Sequence, residues 1–254
     1  MRGANGLYIV RKLGLTPSLK LCLDAGDGAS YTSGQSWLDL SGGGYDFFLG
    51  ADGAATGTDP TFNGTPGNLS SAEYFSSDGG DRFTYNAANE TWINNIHKDN
   101  AKFTMLCWFF PTGGTWNGIM GTNTNNNTVV GFNCFCHTTS FWLNISNGGG
   151  VSIFGPSTGG AADGVWNFYA VSVDEANNTS AIQANSTQVI SGGQYASPSA
   201  SDAGVTMNLM TCGAGGLPAQ SGARMAMVCM WEGLSLTPGE MMAFFNATRG
   251  RFEK

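Results

Sequence analysis

Charged side chains are scarce in this sequence of 254 residues. Only 11% are Asp, Glu, Lys or Arg, and no lysine or arginine occurs between Phe103 and Ala223. A groove that tracks nucleic acid needs closely spaced cations to neutralise phosphates, so the cation-free stretch argues against a nucleic-acid partner. No run approaches the roughly 18 apolar residues of a membrane-spanning helix, which leaves a membrane out of the expected partners. The amino terminus does not read as a secretory leader either: the apolar run Leu7-Tyr8-Ile9-Val10 stops at Arg11 and Lys12, too short for the apolar core of a signal peptide. We therefore expect a chain made and folded in a cytoplasm. Tandem repeats and heptads are absent, which excludes a solenoid or a coiled-coil stalk. Histidine is limited to His97 and His137. Serine or cysteine hydrolysis needs a histidine base, and His97 lies in the polar stretch 94–100, which reads as a surface loop.

What is abundant points to β structure. With 38 Gly, seven Trp and 16 Phe, the composition is that of aromatic-rich strands joined by Gly, Asn and Ser turns. At 41% apolar content the chain can fill one sandwich core, so one domain is expected. Leu19–Leu23 alternates as a first strand should, and Phe103–Phe110, Phe141–Ile145, Trp166–Val173 and Met225–Trp231 read as further strands. Several of these are apolar on both faces, which predicts strands covered on both sides. One helix is well signalled. Thr237-Pro238-Gly239-Glu240 forms a capping box with Pro at the first helical position, Met241, Phe244 and Phe245 make its buried stripe, and Gly250 suits a left-handed stop after Arg249. Six cysteines in a cytoplasmic chain of this length read as buried thiols rather than a disulfide framework.

Charge is also unevenly placed. Residues 1–20 hold Arg2, Arg11, Lys12 and Lys20 with no acid, against a net charge of −7 for the whole. We read residues 1–18 as a basic arm that carries an extended apolar piece, and residues 19–254 as the globular domain. Such an arm, through Arg2, Leu7, Tyr8, Ile9, Val10, Arg11 and Lys12, is suited to docking on an acidic neighbouring surface.

Five segments, taken in order, resemble concanavalin A-like lectin/glucanase domains, the laminin G-like group included. These are Trp37-Leu-Asp-Leu-Ser-Gly-Gly-Gly44, Ala72 to Phe83, Phe103 to Pro111, Asp163 to Val173, and Leu234 to Phe252. The resemblance implies an all-β, two-sheet antiparallel jelly-roll sandwich with one short carboxy-terminal helix. Its closing segment, Leu-Thr-Pro-Gly-Glu240 followed by Phe245-Asn-Ala-Thr-Arg-Gly-Arg-Phe252, is similar to those of bacteriophage structural proteins. That likeness implies a virion protein that decorates a capsid or tail, is oligomeric in the particle and has other virion proteins as partners. The alternative is a lectin-like host-adsorption module that binds surface glycans, and a degenerate glucanase ranks below both.

The residues themselves favour binding over catalysis. Glucanases of this fold place paired carboxylates on one strand as Glu-x-Asp-x-x-Glu. No such triplet occurs here, and Glu73, Asp174-Glu175 and Glu232 are isolated. Cys134-Phe-Cys136-His137 resembles a metal cluster only on paper, because in a strand the two thiols share one face while His137 points to the other. Calcium is the one metal considered. Asp78-Gly-Gly-Asp81 sets two carboxylates in a glycine loop, in the region where relatives of the fold bind calcium, and the competing reading is a polar turn. Trp92, Trp116 and Tyr195, set among Gly- and Asn-rich segments, are the candidates for stacking on sugars, though aromatic residues more commonly pack the sandwich.

Overall fold

Two antiparallel sheets carry the chain, and each is assembled from segments whose side chains alternate between a shared core and an outer face. The computed structural model describes residues 4–124, 127–213 and 215–254. In the first sheet, of eight strands, Thr187–Ser191, Thr179–Ala184, Asn167–Asp174, Lys102–Phe110, Arg224–Glu232, Tyr74–Ser76 and Thr61–Asn63 follow one another, and Leu19–Asp24 also pairs with Arg224–Glu232. The second sheet has nine strands. Its order runs Ser152–Phe154, Ser140–Asn147, Val130–His137, Trp116–Gly121, Asn208–Leu209, Phe83–Tyr85, Phe47–Leu49 and Ser36–Trp37, with Ser157–Thr158 added beside Ser140–Asn147. The jelly-roll sandwich expected from the sequence is thus the observed class.

Alternation explains where each apolar residue goes. In Lys102–Phe110, Phe103, Met105, Cys107 and Phe109 enter the core between the sheets, while Leu106 and Trp108 point the other way. Asn167–Asp174 sorts in the same manner, with Tyr169, Val171 and Val173 inside and Phe168 and Ala170 outside. These strands are apolar on both faces because a second core covers the outer face of the eight-stranded sheet. The carboxy-terminal helix Pro238–Thr248 supplies Met241, Phe244 and Phe245 to it. That helix starts as expected: Thr237 Oγ1 accepts from the amide of Glu240 at 3.2 Å, and the Glu240 carboxylate accepts from the amide of Thr237 at 2.7 Å.

Its end departs from expectation. Gly250 does not take a left-handed conformation; the chain tightens into a 3-10 turn over Arg249–Arg251. That turn carries the Arg251 guanidinium back into the molecule, where Asp24 holds it.

The larger correction concerns residues 1–18. Arg2 lies outside the described residues, but the apolar run is not an extended arm. Gly6–Lys12 is a helix, capped by Asn5, whose side chain accepts from the amide of Tyr8 at 2.6 Å. Helical spacing sets Gly6, Ile9 and Val10 on one side, where all three are buried in the second core. An extended run would have left alternate residues in water. Gly6 lets the helix sit close at this contact, since a Cβ there would lie 3.2 Å from Met227 Sδ. Beyond the helix, Leu15 is buried and its carbonyl accepts from the indole of Trp231 at 2.6 Å. Tyr8, Arg11 and Lys12 remain exposed. The segment therefore belongs to the sandwich and packs beside the carboxy-terminal helix.

Candidate functional site

The two terminal helices cover the outer face of the eight-stranded sheet, and among the described residues the outer face of the nine-stranded sheet has no helix on it. Strand alternation decides what it presents. In Val130–His137, Phe132, Cys134 and Cys136 face the core, so Phe135 and His137 face outward. This is the separation of thiols from imidazole expected from the sequence. In Ser140–Asn147, Phe141, Leu143 and Ile145 face the core, so Trp142 stands outward, paired in register with Phe135. Trp116 opens the next strand and is paired with His137.

These four rings form a connected aromatic platform. Trp116 lies 5.3 Å from Phe135, 4.7 Å from His137 and 5.2 Å from Trp142, centroid to centroid, while Phe135 and Trp142 are stacked at 5.7 Å with 17° between planes. Phe135 is buried beneath its neighbours, but Trp116 retains 42% of its surface in water. Small hydroxyl residues border the rings, since Ser140 is paired with His137 and Ser157 with Trp142. Paired residues share a face of the sheet. An apolar ring surface edged by hydroxyl and imidazole groups is chemically suited to the C–H face of a pyranose with its hydroxyls at the rim. A short hairpin, Thr211–Cys212 with Leu217–Pro218, crosses the same face over Gly118. Gly118 permits that approach, because a Cβ there would overlap the Leu217 carbonyl.

Of the three sugar-stacking candidates, only Trp116 is available. Trp92 sits in a short helix, Thr91–Asn95, and is 5% exposed. Tyr195 is also 5% exposed, and its hydroxyl donates to the Ile96 carbonyl at 2.8 Å. Burial pushes the Tyr195 phenol well up. Both rings belong to the inter-sheet core. His97 is corrected with them: it is buried, and its Nε2 lies 2.9 Å from the Ser201 carbonyl. Desolvation lowers its pKa. Trp92, Ile93 and Ile96 draw this polar stretch inward.

The carboxylates are occupied structurally. Burial pulls Glu73 upward, yet hydrogen bonds led by the Ser70 hydroxyl and amide outweigh it and hold the group below its usual range. Glu175 accepts from the amides of Asn100 and Tyr195. Asp174 pairs with Lys102 at 2.7 Å, and Glu232 with Lys20 at 3.8 Å. In the Asp78–Asp81 turn, Asp81 accepts from the amide of Asp78 and Asp78 from that of Gly80. Burial raises Asp81 to about 6. Among the described residues no three His, Cys, Asp or Glu side chains are grouped as a metal site would require. The turn is thus accounted for by its own amides. All six cysteines are free and buried.

Trp142 and Phe135 were not singled out in the sequence, and His137 was weighed there only as a base and a metal ligand, although the alternation over 130–147 carries the outward placement of all three.

No family model and no curated protein matches the chain. Solved structures do. The binding domain of botulinum neurotoxin serotype D superposes with a TM-score of 0.61 at 10% identity, over 91% of this chain and 51% of that one. A botulinum neurotoxin type C structure, described as concerning cell entry dependent on two ganglioside molecules, gives 0.62 at 11% identity over 92% and 52%. A mutant sialidase of Trypanosoma rangeli with trans-sialidase activity gives 0.55 at 10% identity over 93% and 34%. At these identities the likeness establishes the sandwich fold. The chain spans about half the length of the neurotoxin chains.

Proposed function

We propose that this chain is a non-enzymatic glycan-binding domain that stacks a sugar ring on the platform of Trp116, Trp142, Phe135 and His137. The carrying observation is the part-exposed Trp116 ring, held on a rigid sheet by contacts with the other three. Keeping a large aromatic ring in water is worthwhile where a ligand covers it. The fold neighbours lend support at the level of fold, one of them being a toxin described through its gangliosides. Against catalysis stand a buried His97 and carboxylates committed to internal partners. The decorating role on a capsid or tail drew on the likeness of the closing segment and on a free basic arm, and of these the arm has Ile9 and Val10 committed to the chain's own core. We therefore favour the lectin-like reading.

The test is a glycan array probed with the labelled intact protein, followed by titration of the best ligand against wild type and Trp116→Ala. The expected result is saturable binding that falls about tenfold or more in the variant, with an unchanged unfolding midpoint. Binding to no glycan, or equal binding by the variant, would remove the platform as the site.

A further inference from the structure

A groove of about 380 Å³ opens on the same outer face, away from the aromatic platform. Its floor is Thr84 and Asn208, which are partners in register on adjacent strands. One wall is the segment Gly204–Val205–Thr206, tied down by hydrogen bonds from the Gly204 amide to the Val130 carbonyl and from the Val205 amide to the Thr122 carbonyl. Ala51 and Arg82 also line it. The hairpin over Gly118 crosses the same strands nearer to Trp116. From Trp116 to Gly121, the register partner of Asn208, five residues of strand span roughly 17 Å.

Arg82 is the unusual member. It is the sole lysine or arginine between Lys20 and Lys98, and no strand of the nine-stranded sheet contains either residue. Its backbone is fixed on both sides, the amide donating to the Thr58 carbonyl and its carbonyl accepting from the amide of Gly50. Yet its guanidinium forms no ion pair, hydrogen bond or ring contact among the described residues. The other arginines drawn in from the surface are engaged: Arg251 with Asp24, and Arg224 over Tyr74 and Phe110. Arg82 is half-buried, so its five donors are partly removed from water without an acceptor among the described residues. The carboxylates closest to it in sequence are turned to their own loop, Asp81 to the amide of Asp78 and Asp78 to that of Gly80, and Asp52, beside Ala51, accepts from the amide of Ala54.

We infer that this groove is a second ligand site, which takes the carboxylate of an acidic saccharide through Arg82. A planar guanidinium matches a carboxylate with two parallel hydrogen bonds, and Thr206 on the wall supplies a hydroxyl for a neighbouring sugar hydroxyl. The choice of a saccharide rests on the glycan-binding reading; the selection of a carboxylate rests on Arg82 alone.

The experiment follows backbone amide shifts of the ¹⁵N-labelled intact protein during titration with glucuronic acid, its methyl ester, glucose and glucose 6-sulfate. Glucuronic acid should shift Thr84, Thr206 and Asn208, and the ester and glucose should not. Arg82→Gln should weaken glucuronate binding by about tenfold or more. Ala51→Trp, which fills the groove but keeps the guanidinium, should do the same. Trp116→Ala should leave glucuronate binding unchanged. Equal shifts from acid and ester, unaltered affinity in Arg82→Gln, or shifts confined to the Trp116 region would overturn the inference. Sulfate binding as tight as glucuronate would overturn the carboxylate assignment. A protein that binds neutral glycans at Trp116 but ignores glucuronate defeats this inference alone, whereas the converse defeats the platform alone.

Discussion

Arg251 Nη1 donates to both oxygens of Asp24, at 2.8 and 2.9 Å, in a buried ion pair that joins residues 227 positions apart. Asp24 also accepts from the amides of Gly6 and Gly26, and Arg251 Nε donates to the Ser70 carbonyl. One node therefore fastens the amino-terminal helix, the first strand, the loop before Glu73 and the carboxy-terminal turn. Removing one partner leaves an uncompensated buried charge, so Arg251→Ala or Asp24→Ala should destabilise the fold by about 3–5 kcal/mol. Denaturant titration measures it; a loss below about 1 kcal/mol would mean that water reaches the pair.

Deletion of residues 1–15 should be costly. It uncovers Met227 and Cys22 and removes the acceptor of the Trp231 indole, besides losing the buried Ile9, Val10 and Leu15. At about 1.5–3 kcal/mol for each buried aliphatic side chain, several kcal/mol are at stake. The truncated protein should aggregate or melt well below the intact one. A truncated protein with an unchanged melting temperature would return these residues to the status of a dispensable arm.

Thr237→Ala removes the acceptor for the Glu240 amide and should lower stability by about 1 kcal/mol. Thr237→Ser keeps the oxygen and should restore most of it. If both variants unfold at the wild-type midpoint, the box contributes nothing.

Asp81 gives a pH signature. Its pKa in the fold, about 6 because of burial, lies above the usual carboxylate value, so the folded state holds the proton more tightly than the unfolded chain. Its contribution is most favourable below about pH 4 and is lost as pH rises toward 6. Asp81→Asn should therefore gain stability relative to wild type across that window, read from melting curves at stepped pH. Bound calcium would favour the ionised form, so a calcium-dependent rise in the wild-type Tm would reinstate the loop as a cation site.

All six cysteines should titrate as thiols in denaturant. Cys22 and Cys229 are the pair to watch, since they face each other in register with sulfurs 3.5 Å apart. A count of four or fewer would show that oxidation had closed at least one bridge.

The strands were legible because a period of two leaves little choice: once Cys134 and Cys136 are assigned inward, His137 must go outward. The carboxy-terminal helix was legible because Thr237, Pro238 and Glu240 are local signals that need no tertiary partner. The amino-terminal helix was not. In seven residues, Leu7 to Val10 fit either period, and only the apolar outer face at Met227 and Trp231 decides for the helix. Trp92 and Tyr195 failed for a related reason, since Gly, Asn and Ser around an aromatic residue describe its backbone and not the depth of its ring. The Arg82 groove was hidden because it joins residues near positions 51, 82 and 206, which the sheet order alone brings together.

The two terminal helices lie side by side on the sheet opposite to the platform. A chain joined ahead of Asn5 or after Phe252 therefore leaves from the sheet that does not carry the proposed sugar platform. A protein tethered to a bead or sensor chip through its helix Gly6–Lys12, for example at exposed Lys12, would present Trp116 and the Arg82 groove to the solution, and several copies linked there would point their platforms outward together.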